Sequence, residues 1–192
     1  MNYLLAGLIL FLGLHSIRVF ADGWRTRTRH VIGATAWRAA FSLLSLIAFG
    51  LIVWAFGQVR QAPVQLWNPP NGMRHLAALL TLMAFVLLAA AYVPGNQIKA
   101  QVHHPMVAGV MLWAMAHLLA NGNAGQVLLF GSFLGWAMLS FLAARQRDQQ
   151  EGTTYVAGKA GATSVTVALG LAAWLAFTLW LHGWLIGVRP LG

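Results

Sequence analysis

Long apolar runs separated by short polar segments dominate the chain. Six of these runs are long enough to cross a bilayer, since one crossing by a helix needs about 20 apolar residues. They are predicted at residues 3–20, 39–57, 75–93, 105–121, 126–144 and 165–188. Backbone N–H and C=O groups find no partner in lipid, so each run is expected to be a helix. We therefore predict an all-α fold, an integral membrane bundle of six transmembrane helices that forms one domain over residues 1–192.

The composition agrees with a membrane protein. Of the 192 residues, 59% are hydrophobic and only 8% are charged, whereas a soluble domain carries roughly 25% charged residues. A soluble monomer is therefore excluded. The absence of cysteine also excludes disulfides, thiolate metal sites, iron–sulfur clusters, cysteine nucleophiles and covalently attached c-type haem. Because no Lys or Arg precedes the first apolar run, we interpret it as a retained helix and not as a cleaved signal.

The basic residues predict the orientation of the helices. The net charge is +9, and nine of the 12 Lys and Arg residues fall on one side of the predicted bundle. Cytoplasmic loops carry the excess of basic residues, so this side is predicted to be cytoplasmic and both termini periplasmic. We attribute the positive charge to this topology. The expected partner is the lipid bilayer, and no nucleic acid partner is expected. The polar segment 149–162 is predicted to be a cytoplasmic linker.

The seven histidines are the candidates for chemistry. His15 and His117 lie well within predicted spans, whereas His75 and His104 lie at span ends. Ionisable groups inside a membrane are costly and usually face the bundle interior. Imidazole binds haem iron well, and helical bundles supply ligands from facing helices. His15 and His117 are therefore candidate axial ligands of a b-type haem. The alternative is that each imidazole only hydrogen-bonds a neighbouring helix.

The fourth run places some of these residues on one helix face. His104 and His117 are 13 positions apart and point roughly 140° away from each other, so one face cannot present both. Gly109 and Trp113 recur at four-residue spacing with His117 and share its face. Gly109 would leave room there for a flat ring, but ordinary helix packing explains the same pattern.

Depth in the membrane complicates the pairing of the two candidate ligands. His15 lies roughly 7–8 Å from the cytoplasmic end of its helix and His117 roughly 18 Å from the cytoplasmic end of its own, at 1.5 Å per residue. The pair therefore needs a haem plane nearly parallel to the membrane or strongly tilted helices. Depth alone would instead pair His15 with His104 and His75 with His117.

Six short motifs carry a resemblance to a known family. They are Gly13-Leu14-His15-Ser16, Trp37-Arg38 with Phe41-Ser42-Leu43-Leu44-Ser45-Leu46, Arg74-His75-Leu76, Tyr92-Val93-Pro94-Gly95-Asn96-Gln97-Ile98-Lys99, His103-His104-Pro105-Met106 and Leu112-Trp113-Ala114-Met115-Ala116-His117-Leu118-Leu119-Ala120-Asn121-Gly122. Together they resemble the bacterial NnrU proteins over about residues 1–150. The last helix, at about 165–188, carries weaker signals.

This resemblance implies a location and a cofactor. NnrU proteins are associated with denitrification, the reduction of nitrite and nitric oxide, which implies a multi-pass protein of the bacterial inner membrane. The domain is also similar to plant 15-cis-ζ-carotene isomerase, a membrane enzyme with haem b, whose two histidine ligands match His15 and His117. The chain departs from the plant enzyme in two places. It has no histidine shortly after the second helix, and it has Trp136 where the plant enzyme has a histidine.

The resemblance and the histidines together lead to one expectation and two alternatives. We expect a haem b protein with a redox or nitric-oxide-linked role, in which Arg38 or Arg18 pairs with the haem propionates. Its ligand would be nitric oxide or a hydrophobic small molecule, and no catalytic residue or oligomeric state is assigned. The first alternative is a haem-dependent carotenoid cis–trans isomerase. The second is a haem-free assembly or scaffold protein for denitrification reductases.

Overall fold

A computed structural model of the chain describes residues 1–191, and these residues contain nine α-helices. They are α1 (Asn2–Phe20), α2 (Asp22–Ile32), α3 (Ala34–Val59), α4 (Met73–Tyr92), α5 (Gln97–Val102), α6 (Pro105–Ala120), α7 (Ala124–Glu151), α8 (Ala160–Ala176) and α9 (His182–Ile186). A π-helical turn, Phe177–Leu181, joins α8 to α9. No β-strand occurs within 1–191, apart from two isolated bridges.

The predicted all-α bundle is confirmed. Five helical segments, α1, α3, α4, α7 and the continuous α8–α9 segment, are long and apolar enough to cross a membrane. The sixth is the shorter apolar helix α6, with 16 residues. This is a multi-pass membrane protein. The assignment of the termini to the periplasm stays a prediction.

The boundaries differ from the predicted ones at polar segments. α7 continues through the polar residues up to Glu151, because Ala, Arg and Gln are good helix formers even without an apolar run. It ends at Gly152, whose left-handed backbone (φ 61°) suits glycine. Since α8 already begins at Ala160, the predicted linker 149–162 is too long at both ends and spans only 152–159.

Two helices were not predicted, and both lie in segments interpreted as loops. The strongly basic α2 lies between α1 and α3, and the short α5 lies between α4 and α6. Neither contains an apolar run, so hydropathy gave no signal for them. The Asn96 side chain caps α5 by accepting a hydrogen bond of 2.7 Å from the backbone N–H of Lys99.

The membrane-crossing helices pack in a row in the order α3, α1, α7, α6, α4, α8. The largest buried cluster lies where α1, α3, α6 and α7 approach one another, and it contains Leu4, Leu8, Ile52, Ala55, Ala114, Leu129 and Phe130. α7 packs against both α1 and α6, the helices that carry His15 and His117. The positions of these two histidines therefore depend on α7.

The two outer helices of the row meet at one end of the bundle. Arg60, just after α3, donates a 2.8 Å hydrogen bond to the Ile186 carbonyl of α9. At the same end Tyr3 packs edge-on against Trp54, with 5.4 Å between ring centroids. Both chain termini therefore lie at one end of the bundle, as an even number of crossings requires.

Gly170 allows α8 to approach α4 closely. A Cβ atom at this position would lie 2.6 Å from the Val86 Cα atom, which is backbone and cannot move aside. We predict that Gly170→Ala separates the two helices and lowers the free energy of unfolding by roughly 1–3 kcal/mol, the usual cost of overpacking. Unfolding of the detergent-solubilised protein, followed by circular dichroism, measures this loss.

Gly131→Ala in α7 is the matched control, since no atom lies within 4 Å of its added Cβ. It should leave stability unchanged or raise it slightly, because Ala favours helix over Gly. Equal stability of the two variants would contradict the close contact between α4 and α8.

Candidate functional site

His15 and His117 share one geometric feature that prepares an imidazole for metal binding. In each, Nδ1 lies within hydrogen-bonding distance of the carbonyl oxygen four residues earlier, 2.7 Å from Phe11 for His15 and 2.8 Å from Trp113 for His117. Since a carbonyl only accepts, Nδ1 carries the proton and Nε2 keeps its lone pair. Metal-binding histidines are held in this way, with one nitrogen anchored and the other presented.

His15 lies among aromatic rings from three helices. Its ring stacks on Phe11 of α1, with 4.2 Å between centroids, and contacts Phe41 of α3 and Trp136 of α7 edge-on at 5.1 and 6.1 Å. Trp136 thus contributes an aromatic ring beside the candidate ligand.

Unpaired hydrogen-bonding groups lie on α3 and α7, the two helices that pack against α1. Within the described chain, three buried side-chain polar atoms have no hydrogen-bond partner, and they belong to Ser45, Trp136 and Ser140. Trp136 contacts His15 directly, and Ser140 lies one turn further along α7. Buried polar groups are nearly always paired. These atoms could therefore form hydrogen bonds with a bound group.

His117 lies in a second aromatic environment. Its ring stacks on Phe130 of α7 at 4.3 Å and lies 5.2 Å from Trp113. Asn121 donates a 2.8 Å hydrogen bond to the His117 carbonyl at the end of α6. The ring is thus fixed by its own helix and by one face of α7.

The two imidazoles lie at different depths along α7. His117 packs at Phe130 and His15 at Trp136, six residues further on, which corresponds to roughly 9 Å along the helix axis. A chain of aromatic contacts connects the two imidazoles through the rings of Phe11, Phe133 and Trp113. The backbone carbonyls of Phe11 and Trp113 also accept the Nδ1 hydrogen bonds. The offset in depth expected from the sequence is therefore present in the fold.

Gly109 and Trp113 face different neighbours. A Cβ atom on Gly109 would lie 3.0 Å from the Ala84 carbonyl oxygen, so this glycine serves the close packing of α6 on α4. Trp113 contacts Phe130 and Phe133 of α7, at 5.0 and 5.5 Å. The structure thus places Trp113 beside His117. Gly109 faces α4, which agrees with ordinary helix packing, the alternative explanation of the four-residue spacing.

His75 and His104, the alternative ligands considered from depth, lie at the ends of the bundle. His75 is exposed at the start of α4. His104 precedes α6, and its Nε2 lies 2.7 Å from the Asp148 carboxylate. Because Nε2 is engaged with this carboxylate, His104 could bind a metal through Nδ1 alone while the contact is kept.

Arg18 and Arg38 lie at the end of the bundle nearest His15. Arg18 follows His15 by one turn of α1, and Arg38 precedes Phe41 by one turn of α3. Both are exposed, and Arg38 bonds only its own helix, at the Ala34 carbonyl. Arg147 joins them by donating to the Arg18 carbonyl at 3.3 Å. The arginines expected to bind propionates are therefore near His15 and remote from His117.

A polar cluster that sequence reasoning missed lies at the same end. Tyr155 donates a 2.8 Å hydrogen bond to the same Asp148 oxygen that His104 approaches. Tyr155 also stacks on His103, which has a left-handed backbone (φ 66°) that is unusual for a non-glycine residue. The cluster borders an open cavity of about 340 Å³. The scarcity of acidic residues, only three in the chain, was the one signal that Asp148 has a specific partner.

The residues 1–191 contain no group of three or more His, Asp or Glu side chains arranged to hold a metal ion.

We predict that Tyr155→Phe loosens the segment 152–159. Burial and the hydrogen bond to Asp148 raise the pKa of Tyr155 to about 12, so its hydroxyl stays protonated and donating throughout the neutral range. The backbone amides of Thr153 and Lys159 donate to the backbone carbonyls of Asp148 and Gly95, respectively. Without the hydroxyl, these two amides should exchange with deuterium severalfold faster. Tyr92→Phe is the control, since Tyr92 is 74% exposed. Identical exchange in the two variants would contradict a tethering role for Tyr155.

Comparison with known proteins identifies the family. No curated protein and no solved structure is similar enough to the chain to count as a match. The model of the NnrU protein family, in contrast, matches residues 3–190 of the 192. The chain therefore belongs to the NnrU family.

Proposed function

We propose that this protein binds haem b in the bacterial inner membrane and has a redox or nitric-oxide-linked role in denitrification. The observation that carries the proposal is the shared anchoring of His15 and His117, which leaves Nε2 available on two imidazoles inside an apolar bundle. When bound, haem b supplies an iron that exchanges single electrons and binds diatomic ligands.

His15 is the better supported of the two proposed ligands. Arg18 and Arg38 lie one turn away on the exposed side, where guanidinium groups would pair with two carboxylates. On the interior side, the unpaired Nε1–H of Trp136 supplies a further donor. Phe11, Phe41 and Trp136 pack around the imidazole and supply the apolar walls that a porphyrin ring would contact.

Ligation by His117 as well sets a condition on the bundle. To hold one iron, both imidazoles would have to bring Nε2 to the same point, although they lie roughly 9 Å apart along α7. The rings of Phe11 and Phe133 belong to the path of contacts that connects the two imidazoles. These rings must therefore move aside for His15 and His117 to hold one iron.

The absorption spectrum of the purified protein tests this proposal. Expressed with ample haem, the wild type should show a Soret band, and His15→Ala and His117→Ala should each lose most of it or shift it, because an axial nitrogen is removed. His30→Ala is the matched control, since His30 is exposed on α2, and its spectrum should equal that of the wild type.

Three results would overturn parts of the proposal. A colourless wild type would exclude haem binding and favour the haem-free scaffold. Unchanged spectra in both His15→Ala and His117→Ala would exclude these ligands. A band lost in His104→Ala and in His15→Ala, but kept in His117→Ala, would select the pair of His15 with His104.

A further inference from the structure

The connections of α2 to its neighbouring helices place it at the membrane surface. Only Ala21 separates it from the end of α1, and only Gly33 separates it from the start of α3. Both neighbours are membrane-crossing helices. A helix of 11 residues tied at both ends to the same end of two such helices stays at the height of the lipid headgroups.

The charge on α2 has little compensation within the chain. Arg25 pairs with Asp22 at 3.4 Å. Arg27 and Arg29 are exposed, and across the described residues neither lies within ion-pair distance of a carboxylate. Arg18 and Arg38 flank the helix and are exposed too. The surface therefore offers several guanidinium groups to an external anion.

An apolar edge runs beside these charges. Trp24 and Val31 are seven residues apart and thus share one face of α2. Val31 is 85% exposed and Trp24 is 50% exposed, although Trp24 also packs edge-on against Trp37 of α3 at 5.9 Å. Arg27 lies about 60° from this face, and Arg29 lies roughly 150° from it, on the other side of the helix. An exposed Trp and Val on one face with basic groups on the remaining faces are typical of helices that lie in a membrane interface.

We propose that α2 is a binding site for anionic phospholipids in the leaflet on which it lies. Arg27 and Arg29 contact the headgroup phosphates, which guanidinium groups recognise with paired N–H donors. Trp24 and Val31 lie at the boundary with the acyl chains. The inference stands on α2 alone and is independent of haem binding.

Lipid titration of the full-length protein in neutral detergent tests this site. Bound lipid is counted by native mass spectrometry with dioleoyl phosphatidylglycerol, and with dioleoyl phosphatidylcholine as the uncharged comparison. The wild type should prefer phosphatidylglycerol. Each arginine near an anionic surface contributes about fivefold in affinity, so Arg27→Gln/Arg29→Gln should weaken phosphatidylglycerol binding about 25-fold. About 1 M salt should abolish the preference.

Two variants separate the site from general charge effects and from misfolding. Arg74→Gln/Arg189→Gln removes the same charge at the opposite end of the bundle, and it should retain the wild-type affinity. Arg27→Lys/Arg29→Lys keeps the charge of α2 and should restore most of the binding. Equal loss in the two glutamine pairs would overturn the assignment to α2. Equal binding of the two lipids by the wild type would overturn the proposal.

Discussion

The hydrogen bond from an imidazole Nδ1 to a carbonyl of its own helix is the interaction on which the candidate site depends. It satisfies one polar atom of His15 and of His117 inside an apolar bundle and sets which nitrogen carries the proton. It also fixes the direction in which Nε2 points, because the ring cannot turn without losing the bond. Both imidazoles are thus held in one orientation.

The aromatic packing follows from this constraint. Phe11 and Trp113 accept the Nδ1 bonds through their carbonyls, and their own rings pack against the same imidazoles. Phe133 of α7 contacts both Phe11 and Trp113. The side chains that pack against each histidine therefore also form the aromatic contacts between the two histidines. Movement of α7 relative to α1 or α6 would change the separation of the imidazoles.

The number of membrane helices and the interior location of His15 and His117 could be predicted from the sequence, because apolar runs of membrane length admit one secondary structure. The relative depth of the histidines also followed, since rise per residue is constant. The direction of Gly109 did not follow, because its face is set by the approach of α4, which no local pattern encodes. Likewise α2 lacks an apolar run, and its helix depends on the two spans that hold its ends.

The polar cluster shows a similar limit. Asp148 and Tyr155 are seven residues apart across the end of α7, and only the turn at Gly152 brings the hydroxyl back to the carboxylate. His104 arrives from another helix altogether. Pairings of this kind depend on the three-dimensional path of the chain. The scarcity of acidic residues therefore drew attention to Asp148 but did not identify His104 or Tyr155 as its partners.

The most direct measurement of the central claim is pulsed electron paramagnetic resonance of the ferric protein labelled with ¹⁵N-histidine. If His15 and His117 bind one iron, the wild type should show hyperfine couplings from two directly bound imidazole nitrogens, and His15→Ala should show one. Absence of any imidazole coupling in haem-loaded wild-type protein would contradict the account.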